Sequence, residues 1–473
     1  MTATDPRTRG PQLFDSTHRA STTGLLALVT MFAFEAVAVS LAMPRIADAL
    51  EGQRLYPIAV VGLLTAALPG MVIGGIWGDA RGPSRPLVLG SLGFVLGLLV
   101  SGLATTMPLF VMGRLLQGLG SGLALTAMYV AIGDAFAPEL RTRIFSVFAA
   151  AWVLPSIMGP FLAGAMVDLF GWRSVFLVVA VVASISTGFV RIAMVPHLST
   201  RRTPIRWGRH PAYALAVAVA AVVLHLGGQA SGWWAGLLPL AALGILVLAL
   251  PPLLPPATMS AGRGLPAVIA ARGIFAAVFA SVEIFLPLVL QHESGLSPTA
   301  SGLVLMVGAL GWTAGSWFAG RYASPTNAGV VLRAAAVWLL GGAVVILVLV
   351  PVDHLTWAAV LVATIGFTVM AVGMGLATPL LSTLALDLAP EGRHGESGAA
   401  IQVSDALGQS IAAGLIGAVF ARWYVWDQGT SYLSGFGLAA FLALLALIIV
   451  GRATESGGRA GKAVDPGDLR SAA

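Results

Sequence analysis

Runs of about 20 or more mostly apolar residues recur along this chain. At a rise of about 1.5 Å per residue, each is long enough to cross a hydrocarbon layer about 30 Å thick. Such a layer offers no water to backbone N–H and C=O groups, so every run must close its hydrogen bonds internally as an α-helix. The pattern predicts about fourteen helices, at 22–47, 57–78, 86–106, 107–133, 144–169, 174–196, 211–229, 233–253, 265–290, 298–319, 329–351, 356–385, 397–421 and 432–451. Pro57, Pro86, Pro108, Pro211 and Pro298 sit near span starts, where a missing N–H leaves no bond unmade. The pair at 211–253 is joined by the short loop Gly227–Gly232, which leaves a re-entrant alternative open.

Composition agrees. Only 10% of the 473 residues are charged and 58% are hydrophobic, with a mean hydropathy of +0.91. A soluble domain carries roughly 25% charged residues, so this chain cannot cover a wet surface and reads as an all-α polytopic membrane protein. Loops stay under about 15 residues, which leaves no room for a soluble catalytic domain. Cys is absent, excluding disulfides, thiolate metal sites and cysteine nucleophiles. The net charge of +6 is dispersed over short inter-helix segments rather than gathered on one patch, which argues against a nucleic-acid partner. No phosphate loop or G-x-S-x-G elbow is present, so neither an ATP-driven pump nor a typical serine hydrolase is expected.

The stretch 1–21 is polar and carries Pro6, Arg7, Arg9, Pro11 and Arg19; it reads as a disordered cytoplasmic tail rather than a signal peptide. A similar tail is expected at 452–473. With the N-terminus inside, Arg45, Arg54, Arg173 and Arg422 would lie outside and Arg114, Arg191 and Arg272 within helices, while the rest of the 26 bases fall on the cytoplasmic side. Lys462 is the single lysine, a bias that suggests a GC-rich bacterial genome and hence a plasma membrane. The connection Ser199–His210 holds Arg201, Arg202, Arg206 and Arg209; it reads as a topogenic loop or as a headgroup contact. After the second helix comes GIWGDARGPSR (Gly75–Arg85), and after the tenth GSWFAGRYAS (Gly315–Ser324), a similar turn without the acid. Two such halves imply a duplicated six-helix unit. The division expected is 22–198 and 264–451 for the two bundles, with 199–263 as a basic loop plus an inserted helix pair.

At these residues the chain resembles the major facilitator superfamily, and within it the fourteen-helix drug:proton antiporter branch. The superfamily's first-loop signature G-x-x-x-D-R-x-G-R-R is met by Gly75, Asp79 and Gly82, with Arg81 and Arg85 displaced and Ala80, Pro83 and Ser84 departing. Arg114, Gln117, Gly118 and Gly120 meet the fourth-helix signature R-x-x-Q-G-x-G in full. Of the fifth-helix antiporter signature G-x-x-x-G-P-x-x-G-G, Gly159, Pro160 and Gly164 match while Pro155 and Ala163 replace glycines. Trp172, Arg173 and Phe176 supply W-R-x-x-F at the sixth. The resemblance covers about 22–451. It implies two six-helix bundles that rock about a central cavity, with the Asp79 cluster latching the halves and Gly159–Pro160 as a bend. A static loop clamp remains the alternative role for Asp79 and Arg81.

Charges inside the membrane mark partners or pathways, since one at mid-helix costs roughly 2.5–3.5 kcal/mol on insertion scales. The candidates are Glu35, Arg114, Arg272, Glu283 and Asp405. Glu35 lies about 15 Å deep in the first helix and Arg114 about 10 Å deep in the fourth. The two helices line the cavity of the N-terminal half in the superfamily, so Glu35 and Arg114 either pair or face each other across water. Apolar surroundings favour a neutral carboxyl and an adjacent guanidinium favours the carboxylate, which makes Glu35 the first choice for a proton carrier. Its Gln variant is expected to lose proton coupling and keep its fold. A permanent structural pair is the alternative. Arg272 and Asp405 match in depth and could pair, or Asp405 could face a watery vestibule. Glu283 has no depth-matched base; it is either a second protonatable site or close to the outer surface.

Neutral candidates for the cavity wall are Phe32, Gln117, Ser121, Phe275, Phe279, Met370, Met374 and Gln402. Phe275, Phe279 and Glu283 continue the Arg272 face, and methionines adapt to varied apolar ligands; plain packing is the alternative. Ser404 adds a polar group, His225 reads as a satisfied or interfacial histidine, and Trp233 and Trp234 as interfacial anchors. The expectation is a proton-coupled secondary transporter that exports hydrophobic or amphipathic small molecules, cations among them, by alternating access. Alternatives are export of one endogenous metabolite or lipid, symport-driven uptake, or an integral-membrane enzyme. The proton gradient serves as energy source and no cofactor or metal is expected. The expected partners are a small-molecule substrate and the bilayer, and the expected state is a monomer.

Overall fold

The structure is a computed structural model. It describes residues 13, 19–52, 55–193, 203–205, 207–229, 233–292, 296, 298–324, 326–349, 357–423 and 428–454. Most of the expected tails, and Arg201, Arg202 and Arg206 of the basic loop, lie outside the described residues.

These residues form fourteen α-helices. They are α1 Arg19–Ala49, α2 Tyr56–Arg81, α3 Ser84–Gly102, α4 Met107–Ala135, α5 Pro138–Phe170, α6 Arg173–Ala193 and α7 His210–Gln229, then α8 Trp234–Ala249, α9 Leu265–His292, α10 Pro298–Tyr322, α11 Ala328–Leu349, α12 Trp357–Asp387, α13 His394–Trp423 and α14 Gln428–Thr454. Eleven contain a described stretch long and apolar enough to cross a membrane, fewer than the fourteen expected. The apolar stretches of α5 and α7 are shorter, Phe161–Phe170 and His210–Leu224, and α13 carries Glu396, Gln402, Asp405 and Gln409. Polar residues also explain the largest boundary difference. α5 starts at Pro138 rather than near 144, because proline at the helix start and Glu139 in the first turn prolong it past the apolar run.

Packing repeats with an offset of eight helices. In the first half α4 packs on α2 and α3, α1 on α5 and α6, and α3 on α6. In the second, α12 packs on α10 and α11, α9 on α13 and α14, and α11 on α14. α7 and α8 pack on each other, and α7 leans on α2 and α13, one helix of each half. The ends joined by the α2–α3, α4–α5, α10–α11 and α12–α13 turns form what is termed here the base; the opposite end is the mouth. At the mouth, Trp233 and Trp234 stack with centroids 3.9 Å apart, both exposed.

Without a hydrophobic force between helices in lipid, tight approach depends on small residues. A Cβ on Gly118 of α4 would stand 2.1 Å from Leu63 O of α2, and one on Gly375 of α12 2.1 Å from Trp312 O of α10. The same close crossing thus occurs once in each half. Gly118→Val should force α2 and α4 apart and lower stability by about 1–3 kcal/mol. Thermal unfolding in detergent would read this as a lowered midpoint, while Gly188→Ala, with nothing within 4 Å of its Cβ, leaves the midpoint in place.

Candidate functional site

Glu35 and Arg114 form an ion pair between α1 and α4, with side chains only 2% and 6% exposed. The guanidinium also donates to Gln117 Oε1 at 2.9 Å, one helical turn along α4, and to Ala59 O of α2 at 3.3 Å. Gln117 Nε2 in turn donates to Gly97 O at 3.1 Å and to Ser101 Oγ at 2.8 Å, both on α3. One chain of hydrogen bonds therefore ties four helices of the first bundle, and its buried donors and acceptors are paired. Gln117 is fully buried, and Ser121 bonds back to Gly118 O of its own helix at 3.0 Å. Phe32 packs edge-on against Phe94 with centroids 4.7 Å apart. Expected on a cavity wall, Phe32 and Gln117 instead lie inside the packing of the first bundle.

In the second bundle Arg272 Nε of α9 lies 2.6 Å from Asp405 Oδ1 of α13, with side chains 12% and 21% exposed. Gln409 Nε2 donates to Asp405 Oδ2 at 3.1 Å. Phe279 meets Trp312 edge-on at 4.9 Å and stacks on Phe367 at 5.3 Å. Phe275, Met370 and Met374 are buried among the same helices, so in this conformation these residues also pack the core. Glu283 is exposed on the mouth half of α9 beside exposed Ile284, with no ion-pair partner among the described residues.

The two bundles meet through polar bonds near the base. Asp79, at the end of α2, accepts from the backbone N–H groups of Gly395 at 2.7 Å and Glu396 at 2.8 Å, the free donors of α13's first turn. Gly75 and Gly395 make that approach possible, since a Cβ on either would stand 2.4 Å from the other's carbonyl oxygen. Gly82 closes α2 at φ 84°, a conformation few other residues adopt. Arg81 and Arg85 are exposed, and across the seam the acid binds a helix N-terminus. Arg141 of α5 bonds Asp387 of α12 at 2.5 Å, and His394 Nδ1 of α13 lies 3.9 Å from Asp134 of α4. These two contacts correspond under the eight-helix offset.

Farther in, Thr142 donates to Thr383 at 3.1 Å, Tyr129 and Ser382 share a hydrogen bond of 3.2 Å, and Gln402 Nε2 of α13 donates to Thr126 of α4 at 3.0 Å. α5 runs as continuous helix through Gly159 and Pro160; Gly159 lies against Val37 of α1. The side chains of Pro160 and His225 lie outside the description. Sequence reasoning passed over Tyr129, Arg141, Asp387, His394 and Gly395. For Arg141, Asp387 and His394 the one signal was polarity at the ends of helices that the repeat makes equivalent; Tyr129 and Gly395 carried none.

Removing the anion alone would strand a buried guanidinium. Glu35→Gln should cost about 3–5 kcal/mol, read as a lower melting midpoint in detergent. The paired change Glu35→Leu with Arg114→Met should recover most of that loss.

Comparison with known proteins places this architecture. The chain is 25% identical over 381 residues to "Multidrug resistance protein 3" of Bacillus subtilis, covering 78% of this chain and 73% of the relative. It is 25% identical over 397 residues to the "Methylenomycin A resistance protein" of Bacillus subtilis (80% and 83% covered), and 27% identical over 399 residues to "Drug efflux pump JefA" of Mycobacterium tuberculosis (81% and 77%). Among solved structures, the human organic anion transporter MFSD10 superposes with a TM-score of 0.66 at 14% identity, covering 91% of this chain and 99% of the other. The proton:xylose symporter XylE does so at 0.63 and 14%, covering 91% and 94%. These likenesses establish the fold. Residues 23–413 match the family model of the Major Facilitator Superfamily, and the chain, a multi-pass membrane protein, belongs to that superfamily.

Proposed function

We propose that this protein is a secondary active exporter of hydrophobic or amphipathic small molecules, driven by proton influx and working by alternating access. The observation that carries the reading is the seam. Two bundles with duplicated packing are held at one end by individually modest polar bonds: Asp79 on the α13 N-terminus, Arg141 on Asp387, Tyr129 on Ser382. Each is worth about 0.5–3 kcal/mol, so a small input can release them in favour of a base-open state. Relatives named for multidrug and methylenomycin resistance support export. The fourteen helices support the drug:proton antiporter branch, with α7 and α8 as its inserted pair. Arg81, Arg85, Arg143, Arg209 and Arg393 crowd the base while Arg45 and Arg173 sit at the mouth, which supports a bacterial plasma membrane with the base cytoplasmic.

Reconstitution into liposomes with an imposed pH gradient tests the function. Dye movement that is tied to lumenal pH change supports antiport; movement indifferent to the gradient defeats it. The seam has its own test. The chain has no cysteine, so a single cysteine introduced near the base reports its opening by labelling rate. Asp79→Asn should weaken the clasp by about 1–2 kcal/mol, roughly a 5–30-fold shift toward the open base. An unchanged labelling rate would separate Asp79 from the latch.

A further inference from the structure

The repeat sets up two crossings of the seam at the base that correspond under the eight-helix offset: α2 meets α13 on one side and α10 meets α5 on the other. Their chemistry differs. On the first side Asp79 brings an anion to the start of α13, and α7 packs over both helices. On the second side α5 packs directly on α10. Where GIWGDARG aligns with GSWFAGRY, Ala319 stands in place of the acid and is followed by Gly320 and Arg321.

What gathers on that second side is positive. A Cβ on Gly320 would lie 2.5 Å from Ser146 Oγ and 3.6 Å from Arg143 Cα, so the α-carbons of Arg143 on α5 and Arg321 on α10 stand within about 9 Å of each other. Both residues are exposed, and neither makes an ion pair or hydrogen bond among the described residues. Glu139, one turn before Arg143, does not pair with it, and Asp387 is taken by Arg141. Asn327 satisfies Tyr322 O at the end of α10 at 2.9 Å, without Arg321. A single exposed arginine is ordinarily just solvated. Two of them on different bundles, side by side with no carboxylate, repel each other at the joint the bundles share.

The surroundings fix the depth of this pair. Trp317, Phe318 and Tyr322 of α10 are 63%, 47% and 53% exposed, with the Tyr322 ring centroid 4.7 Å from that of Phe318 and 6.2 Å from that of Trp317. Exposed Trp and Tyr rings at the end of a spanning helix mark the headgroup level of a bilayer. Trp317 and Phe318 are one turn from Arg321 on the same helix, so the two arginines stand at phosphate depth.

We propose that Arg143 and Arg321 together bind the headgroup phosphate of an anionic phospholipid in the base-side leaflet, with Trp317, Phe318 and Tyr322 against its glycerol and upper acyl chain. Guanidinium groups take phosphate oxygens in paired hydrogen bonds, and an anionic headgroup, unlike a choline one, brings no cation of its own. One phosphate shared by two bundles is a clasp. It removes the repulsion between the arginines and holds α5 to α10 as Asp79 holds α2 to α13, so anionic lipid favours the closed base. The lipid site goes beyond the exporter reading; only its effect on the base rests on the rocking of the bundles.

Native mass spectrometry tests the site. Protein in neutral detergent is mixed with phosphatidylglycerol, phosphatidylcholine or inorganic phosphate, and the bound adducts are counted. Wild type should hold phosphatidylglycerol over phosphatidylcholine. Arg143→Gln and Arg321→Gln should each weaken that binding about 5-fold, and the double change about 30-fold. Arg85→Gln, at the base end of α3, should leave it unchanged. Full retention in the double variant, an equal loss in Arg85→Gln, or displacement of phosphatidylglycerol by inorganic phosphate at equal concentration overturns the site; the last outcome assigns it to a free anion. The clasp is read from the labelling rate of a cysteine near the base, in nanodiscs with and without phosphatidylglycerol. The lipid should slow labelling of wild type and not of the double variant. Labelling that ignores bound lipid, while Asp79→Asn still speeds it, overturns the clasp alone. Labelling that ignores both defeats the rocking base and leaves the lipid site standing.

Discussion

Hydrocarbon supplies no hydrogen bonds, so each polar group this chain carries into the membrane must find its partner within the chain. That rule makes the fourteen helices, and it then sorts their side chains. Where partners lie within one bundle, as for Arg114 with Glu35, Gln117 and Ala59 O, the result is a fixed and fully paired core. Where the partner lies across the seam, as for Tyr129 with Ser382, the bond lasts only while the bundles keep their present angle. The same kind of interaction thus serves within a bundle and between bundles, distinguished by which helices it joins.

The repeat shows how one architecture acquires two roles. Close crossings through Gly118 and Gly375 recur in both halves because both must pack tightly. The charges do not recur. The first half carries a buried pair between α1 and α4, the second a partly exposed one between α9 and α13. Only the first half's α2 ends in an acid that reaches α13; the corresponding turn after α10 has Gly320 and Arg321. Duplication fixes the scaffold and departures from it place the chemistry.

Much of this was legible in the amino-acid order. Apolar run length located α9 at 265–290 against Leu265–His292 observed, since membrane thickness leaves little freedom. Depth counting put Glu35 near the level of Arg114 and Arg272 near that of Asp405 but left open whether they pair or face water; both sets form ion pairs. The seam was not legible. Tyr129 and Ser382 are 253 residues apart, and whether they touch depends on the angle between bundles, which no local pattern encodes. For the same reason Phe275, Met370 and Gln117 could be placed on a helix face but not assigned to core or cavity.

The contact of Gly75 with Gly395 has one further consequence. There two main chains meet with no side chain between them, at the spot where Asp79 grips α13. A lone methyl group added on either glycine would act as a shim, prising the helices apart before any charge is altered. The resting posture of the whole molecule is therefore adjustable by steric bulk at two neighbouring α-carbons, independently of its acids and bases.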